Sequence, residues 1–183
     1  MEVMGRDAGW IAVHTAIAGG AEICLIPEIP YDINKLVEKI ESRYEKGRGF
    51  VNIVVAEGAK PKEGSVVSRS PEEGSRHIRL GGVAFTLSDQ LKQAGVKVEI
   101  RETILGHVQR GGIPTAFDRV LASMFGVKAF EMVQKGKFGK MVSYTNNDFI
   151  SVPLEDATKE NKTVNPNSFL VNGAKSLGII FGD

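Results

Sequence analysis

The segment GHVQRGG at residues 106–112 places a histidine and an arginine three positions apart and closes on two glycines. An arginine guanidinium stays charged at physiological pH and can bind a phosphate through two parallel hydrogen bonds. Gly111 and Gly112 permit a sharp backbone exit before Pro114. These residue types at this spacing indicate a local site for a phosphorylated small molecule.

Other polar residues are expected at the same place because of the elements that precede them. In an open α/β sheet, ligands bind outside the carboxyl ends of the strands, where loops and helix N-termini converge. The arginines expected there suit a phosphate, and a carboxylate suits the hydroxyl groups of a sugar. Residues within or directly after the predicted strands are expected at this rim. They are Met4, Gly5, Arg6, Glu57, Arg101, His107 and Arg110.

Each charged residue of this set also has an ordinary structural interpretation. Arg101 could face solvent from an alternating strand, and His107 could be a hydrogen-bonded loop histidine. Arg110 could cap a carbonyl group, and Glu57 could end a turn. The joint placement of all four residues at one predicted sheet edge favours the binding site.

Alternating helices and strands account for most of the chain. Helices are predicted over 7–20, from an Asp32 N-cap to near Gly47, over 79–95, from a Thr115–Asp118 capping box, and around 167–177. Strands are predicted over 22–27, 50–58, 96–105, 140–145 and 148–153. Apolar strands that alternate with helices are typical of a parallel sheet covered on both sides. The predicted fold is therefore α/β, a doubly wound, mostly parallel sheet with helices on both faces.

The composition excludes several classes of protein. The 183 residues are 42% hydrophobic and 25% charged, as in ordinary globular domains. The 23 basic residues are nearly balanced by 22 acidic ones. The resulting net charge of +1 offers no general attraction for nucleic acid or an anionic membrane. The single cysteine, Cys24, predicts a buried thiol in a reducing compartment. No apolar run approaches the roughly 20 residues of a membrane span, so we expect a cytoplasmic protein.

Two longer motifs resemble the phosphofructokinase family. They are MGRDAGWIA at 4–12 and GHVQRGGIPTAFDRVLAS at 106–123, and AIAGGAE, PE and the glutamate at a strand end match in the same order. The family transfers a phosphoryl group to the 1-hydroxyl of fructose 6-phosphate, a step of glycolysis. The resemblance implies this kinase activity and a phosphofructokinase-like fold.

The resemblance also implies a role for the residues near the start of the chain. Met4, Gly5 and Arg6 would form the sugar-binding turn, with Arg6 as the catalytic residue that steadies charge on the transferring phosphoryl group. Glu57 would hydrogen-bond the sugar hydroxyls. The turn and the glutamate together would hold the acceptor sugar.

The remaining site residues would bind phosphates. Arg101, His107 and Arg110 would hold the 6-phosphate, and in tetrameric members Arg101 would reach across a subunit interface. A homo-oligomer, dimer or tetramer, with a shared sugar site is therefore implied. The resemblance also matches a possible effector site for nucleotides or other phosphates, although EKGRG is an ordinary charged helix end as well; its residues are Glu22, Lys46 and Arg48.

The sequence departs from the family pattern in two places. Residues 59–78 look like an insertion relative to the compact bacterial ATP-dependent enzymes. The family's glycine-rich donor loop (GGDGS or GGDD) and its Asp-bearing turn, which supplies the catalytic base, lie upstream of MGR and do not occur in this sequence. Mg²⁺ with ATP or pyrophosphate would be bound elsewhere in the full enzyme, no metal ligand is identified in this chain, and either donor stays possible.

The resemblance thus indicates the fructose 6-phosphate-binding part of a 6-phosphofructokinase, inactive on its own. Residues 1–110 would form the sugar-phosphate lobe. Residues 111–183 would be helices and strands that in the family partly pack on the donor lobe, so we expect exposed apolar surface and self-association. The alternative is a non-catalytic module that senses a sugar phosphate or nucleotide; the presence of Arg6 favours the enzyme.

Overall fold

The computed structural model describes residues 1–63 and 82–183, together with the backbone of 68–69 and 79–80. The strands are β1 (Glu2–Val3), β2 (Ile23–Leu25), β3 (Ile53–Ala56), β4 (Ser68–Arg69), β5 (Arg79–Leu80), β6 (Lys140–Thr145) and β7 (Asp148–Pro153). The helices are α1 (Trp10–Gly19), α2 (Ile33–Glu45), α3 (Val83–Gln93), α4 (Ala116–Gln134), α5 (Leu154–Thr158) and α6 (Phe169–Ser176), with a 3-10 helix at Gly106–Arg110. The chain divides into two units, a first unit of residues 1–109 and 162–183 and a second unit of residues 110–161.

A parallel sheet forms the centre of the first unit. The three strands stand in the order β1-β3-β2, and both pairings are parallel. Single parallel bridges extend the arrangement, from Glu2 to Ile104 beyond β1 and from Ile23 to Ile180 beyond β2. This sheet confirms the predicted α/β class, because all of its pairings run in one direction.

The sheet is buried on both faces, as its apolar strands predicted. Alternate strand residues enter two separate hydrophobic clusters, because successive side chains of a strand point to opposite faces. Helices α1 and α6 cover one face, and α2 and α3 cover the other. The first cluster takes Val3, Cys24, Val54 and Ala56 from the strands, and the second takes Ile23, Leu25 and Val55.

Two helices begin at the residues that the sequence indicated. The Asp32 side chain accepts a hydrogen bond from the Asn34 amide at 2.9 Å and caps α2. In the second unit, Thr115 and Asp118 form a reciprocal capping box at the start of α4. Both N-caps therefore confirm the predictions.

The strand predicted over 96–105 is wrong, apart from one bridge. Glu2 donates to the Thr103 carbonyl at 2.7 Å and accepts from the Leu105 amide at 3.2 Å, which pairs Glu2 with Ile104. The bridge at Ile104 is the one point at which residues 96–105 pair with β1. The alternation of VKVEIRETIL predicted a strand, but β1 gives it only one residue to pair with.

Residues 162–183 return to the first unit. Val164, Val171 and Phe181 are buried in the cluster beneath α1. The Cys24 amide donates to the Ile180 carbonyl at 2.9 Å, which fixes the last residues beside β2. The segment 162–183 thus contributes to the core of the first unit, although the predicted domains group it with the C-terminal part. The functions assigned to the two predicted lobes stay predictions.

The second unit consists of α4, the antiparallel hairpin β6–β7 and α5. The hairpin strands have the predicted bounds, 140–145 and 148–153. The apolar surface that the sequence led us to expect is present, because only Met132 of α4 is buried. Large apolar side chains that remain exposed along α4 are Phe117, Val120, Met124, Val127, Phe130 and Val133.

The predicted insertion and the absence of a predicted membrane span are the remaining features of the sequence. Most of the insertion predicted over 59–78 lies outside the described residues. No helix in the described ranges is long and apolar enough to cross a lipid bilayer.

Cys24 is expected to be unreactive in the folded chain. Its side chain is fully buried, and burial, together with the nearby charge of Glu28, raises the pKa of the thiol to about 12. The nucleophilic thiolate is therefore almost absent at pH 8. A disulfide reagent should label this cysteine only in urea, at the rate of unfolding. Rapid stoichiometric labelling without denaturant would contradict the prediction.

Candidate functional site

A tight turn follows β1 at the carboxyl edge of the sheet. The Ala8 amide donates to the Gly5 carbonyl at 2.9 Å and closes the turn. A Cβ atom at Gly5 would lie 2.6 Å from the Ala8 carbonyl oxygen, so the turn requires glycine at that position. Arg6 adopts a left-handed backbone with φ of 44°, which is unusual for a non-glycine residue, and is exposed. The turn thus presents the arginine at the rim of the sheet.

Glu57, at the end of β3, holds this turn. Its Oε1 accepts hydrogen bonds from the Gly5 amide at 3.3 Å and the Arg6 amide at 3.0 Å. A carboxylate has about four acceptor positions, so Oε2 can still accept from a ligand hydroxyl. Gly58 lets the two segments approach closely, because a Cβ atom there would lie 1.8 Å from the Arg6 carbonyl oxygen.

The motif GHVQRGG begins with the 3-10 helix, just past the bridge between Glu2 and Ile104. The Val108 amide donates to the Leu105 carbonyl at 3.2 Å and ties the helix to that bridge. His107 and Arg110 lie on this helix and are exposed. Their positions leave both side chains accessible to a ligand.

Gln109 joins this helix to the turn after β1. Its Oε1 accepts a hydrogen bond from the Met4 amide at 2.8 Å, across 105 positions of sequence. The sequence interpretation considered only the charged residues of GHVQRGG and missed Gln109. The feature of the sequence that could have identified Gln109 is an uncharged acceptor between a histidine and an arginine. Such a group can accept a hydrogen bond from a backbone N–H without adding charge beside a phosphate.

Glu28 is a structurally important residue that the sequence interpretation missed. Its Oε1 accepts from the Gly9 amide at 3.0 Å and from the Val164 amide at 2.7 Å. Gly9 is the N-cap of α1 and offers no side chain of its own. Glu28 therefore fixes both the helix that follows the turn and the returning C-terminal segment. Only the dipeptide PE within the resemblance marked this position.

Arg101 is not at the carboxyl rim of the sheet, contrary to the predicted convergence. It precedes the bridge at Ile104 by three residues, about 10 Å along an extended chain. Its side chain is 84% exposed and pairs with Glu99 at 2.9 Å. An exposed pair of this kind contributes little stability and leaves the arginine available.

The possible effector site includes Glu22, whose recorded contacts are with residues other than Lys46 and Arg48. This carboxylate accepts from the Asn52 amide at 2.7 Å and forms an ion pair with Arg43. Lys46 and Arg48, at the end of α2, are exposed. The contacts of Glu22 are thus structural, and the effector role stays a prediction.

The described residues offer no group of three His, Cys, Asp or Glu side chains arranged to hold a metal ion. The cations and polar groups of the rim come from three loops that follow β1, β3 and the Ile104 bridge. This arrangement can bind a phosphorylated, hydroxyl-bearing ligand, because it combines arginine and histidine donors with a carboxylate acceptor.

Comparison with known proteins identifies the family of the chain. Residues 1–133 match the family described as Phosphofructokinase. The chain is 50% identical over 184 residues to ATP-dependent 6-phosphofructokinase 2 of Clostridium perfringens, covering all of this chain and 50% of the relative. It is 48% identical over 170 residues to the pyrophosphate–fructose 6-phosphate 1-phosphotransferase of Amycolatopsis methanolica, covering 92% of this chain and 49% of the relative.

Solved structures share the fold. The phosphofructokinase of Saccharomyces cerevisiae matches with a TM-score of 0.63 and 34% identity, over 86% of this chain and 20% of that one. The pyrophosphate-dependent phosphofructokinase of Marinobacter aquaeolei matches with a TM-score of 0.71 over 96% of this chain and 45% of that one; at 23% identity it supports the fold alone.

The comparisons confirm the resemblance seen in the motifs and the predicted fold. The chain spans about half the length of the relatives it matches. The family match, the sequence identity over the whole chain and the shared fold lead to one conclusion: the chain belongs to the phosphofructokinase family.

Proposed function

We propose that this chain is the fructose 6-phosphate-binding part of a 6-phosphofructokinase. One observation carries the proposal: side-chain hydrogen bonds to the amides of Met4, Gly5 and Arg6 join the MGR turn to Glu57 and to the GHVQRGG helix. These are the three motifs that the family resemblance assigns to the sugar phosphate. Their direct contact supports a single acceptor site.

The proposed roles follow from the chemistry of each group. Glu57 accepts from a sugar hydroxyl through its free oxygen, while His107 and Arg110 hold the 6-phosphate. Arg6 steadies the charge that develops on the transferring phosphoryl group as the 1-hydroxyl attacks. Arg101 serves the phosphate of a neighbouring subunit in a homo-oligomer, which agrees with its exposure away from the rim.

The donor and its metal ion are assigned to residues other than those described. In the full enzyme ATP or pyrophosphate would supply the phosphoryl group, with Mg²⁺ neutralising the charge of the donor phosphates, and both donors occur in the names of the relatives. Among the described residues no three His, Cys, Asp or Glu side chains are grouped to hold a metal ion, and Mg²⁺ is assigned to the donor half of the full enzyme. The base that takes the hydroxyl proton also belongs to the donor half in this proposal.

The alternative function is a module that binds a sugar phosphate or nucleotide without turnover. Incubation with fructose 6-phosphate, Mg²⁺ and either donor tests whether the chain alone turns its ligand over. Binding without a bisphosphate product agrees with both the sensor and an inactive acceptor half, whereas product formation would refute the sensor.

Titration with fructose 6-phosphate tests the proposed site. Arg110→Ala should weaken binding by at least about thirty-fold, because losing one charged partner of a phosphate costs about 2–5 kcal/mol. Arg101→Ala should have a comparable effect only at concentrations where sedimentation shows oligomers. The exposed cation Lys97 provides the control, and Lys97→Ala should bind normally. Equal affinity of the unsubstituted chain and Arg110→Ala would refute the assignment.

A further inference from the structure

The turn at residues 4–6 is held by side chains and not by the sheet. Three consecutive backbone amides, those of Met4, Gly5 and Arg6, each donate to a side-chain oxygen. Arg6 has a positive φ of 44°. A non-glycine residue keeps such a conformation only when its surroundings fix it. The contacts of these amides therefore determine the shape of the turn.

The Met4 contact differs from the other two because its acceptor belongs to a different motif. Glu57 directly follows β3, which pairs with β1. Gln109 instead lies on the 3-10 helix with His107 and Arg110. A displacement of this helix thus moves the acceptor of the Met4 amide, and a displacement of the turn moves the helix.

The chemistry of glutamine suits this position. The contact needs an acceptor for a backbone N–H, which a carboxylate would also supply. A carboxylate on this helix, however, would repel a phosphate bound by the neighbouring cations. The amide oxygen of Gln109 accepts the hydrogen bond with no such repulsion.

The geometry points to Gln109 as a positioning residue that holds the turn at 4–6 in the conformation that binds the sugar. It acts through the Met4 amide and couples the phosphate-binding helix to the sugar-binding turn. This inference rests on the proposed function. Its consequence is selective: the loss of Gln109 impairs recognition of the sugar and spares recognition of a phosphate alone.

Amide exchange tests the contact without any ligand. In Gln109→Met, which keeps the length of the side chain but removes the acceptor, the Met4 amide should exchange at least ten-fold faster. Gln109→Glu keeps an acceptor and should retain slow exchange, and so should Gln93→Met, an exposed control in the same unit. Unchanged exchange at Met4 in Gln109→Met would overturn the inference.

Binding of two ligands tests the selective role. Gln109→Met should bind fructose 6-phosphate at least ten-fold more weakly than the unsubstituted chain, with inorganic phosphate bound equally by both. Equal losses for the two ligands would show that Gln109 serves the phosphate helix itself, and would overturn the inference. Gln109→Glu should lose affinity for inorganic phosphate, because it adds a negative charge.

The proposed function and the inference fail in different ways. If the unsubstituted chain binds no fructose 6-phosphate, the proposed function fails, and the exchange of the Met4 amide still decides whether Gln109 holds the turn. If the unsubstituted chain binds the sugar phosphate and Gln109→Met binds it equally well, the proposed function stands and the positioning role is refuted.

Discussion

Gly58→Ala is expected to disrupt the turn at residues 4–6 and to lower the free energy of unfolding by about 1–3 kcal/mol. The added Cβ atom would lie 1.8 Å from the Arg6 carbonyl oxygen and 2.9 Å from its carbonyl carbon. Both are backbone atoms, so no change of rotamer relieves the clash. The turn must move away from Glu57, which breaks the hydrogen bonds to its amides. Affinity for fructose 6-phosphate should fall by more than about ten-fold.

Gly49→Ala is the matched control for this substitution. A Cβ atom at Gly49 meets no other atom within 4 Å, and its backbone is not left-handed. The substitution should leave stability within about 1 kcal/mol or raise it slightly. Trp10 is the single tryptophan and lies in α1, so its fluorescence in urea reports on the first unit. Identical urea midpoints for Gly58→Ala and the unsubstituted chain, with equal sugar-phosphate affinity, would refute the prediction.

Glu28→Ala should destabilise the first unit by about 2–6 kcal/mol, because it leaves two buried amides unsatisfied. The substitution leaves the amides of Gly9 and Val164 without their acceptor, and both residues are buried. An unsatisfied buried N–H costs about 1–3 kcal/mol. The segment at 162–183 should detach more readily, because Val164 loses its link to the start of α1. Limited proteolysis near Lys162, with urea unfolding monitored by Trp10, would measure both effects.

Two variants define the role of the Glu28 carboxylate. Glu28→Gln keeps one acceptor oxygen and should retain part of the stability. Glu38→Ala removes an exposed carboxylate from α2 and should change stability by no more than about 0.5 kcal/mol. A Glu28→Ala chain as stable as Glu38→Ala would show that the two amides find other partners, and would contradict the prediction.

The sequence predicted the elements that local chemistry determines. The Asp32 cap and the Thr115–Asp118 box involve residues two or three positions apart, and the structure contains both. The hairpin β6–β7 is likewise local. The parallel sheet was predictable as well, since buried apolar strands between helices have few other arrangements.

The features that the sequence did not predict depend on distant partners. Residues 96–105 alternate like a strand, but strand formation requires a neighbouring backbone, and Glu2 supplies one pairing position. Gln109 and Glu28 accept hydrogen bonds from amides that lie far away in the sequence. The sequence marks both positions, through the uncharged acceptor in GHVQRGG and through the dipeptide PE, but only the fold reveals the amides that they bind.

The candidate site was predicted in part. The sequence predicted the MGR turn, Glu57 and the GHVQRGG segment at one sheet edge. In the structure the turn is hydrogen-bonded to both of the others. Arg101 was expected at that edge because it belongs to the strand predicted over 96–105. It lies upstream of the only residue of that strand that pairs, so its distance from the rim follows from the parallel register.

The discontinuous first unit affects the order of events during synthesis. Val164, Val171 and Phe181 complete the core beneath α1, yet they are made after the entire second unit. Domains usually fold as their residues leave the ribosome, the N-terminal part first. Here the local elements of residues 110–161 can form while the earlier sheet still lacks one side of its core. A nascent chain stalled before residue 162 therefore exposes the apolar underside of α1, which makes it a target for chaperones.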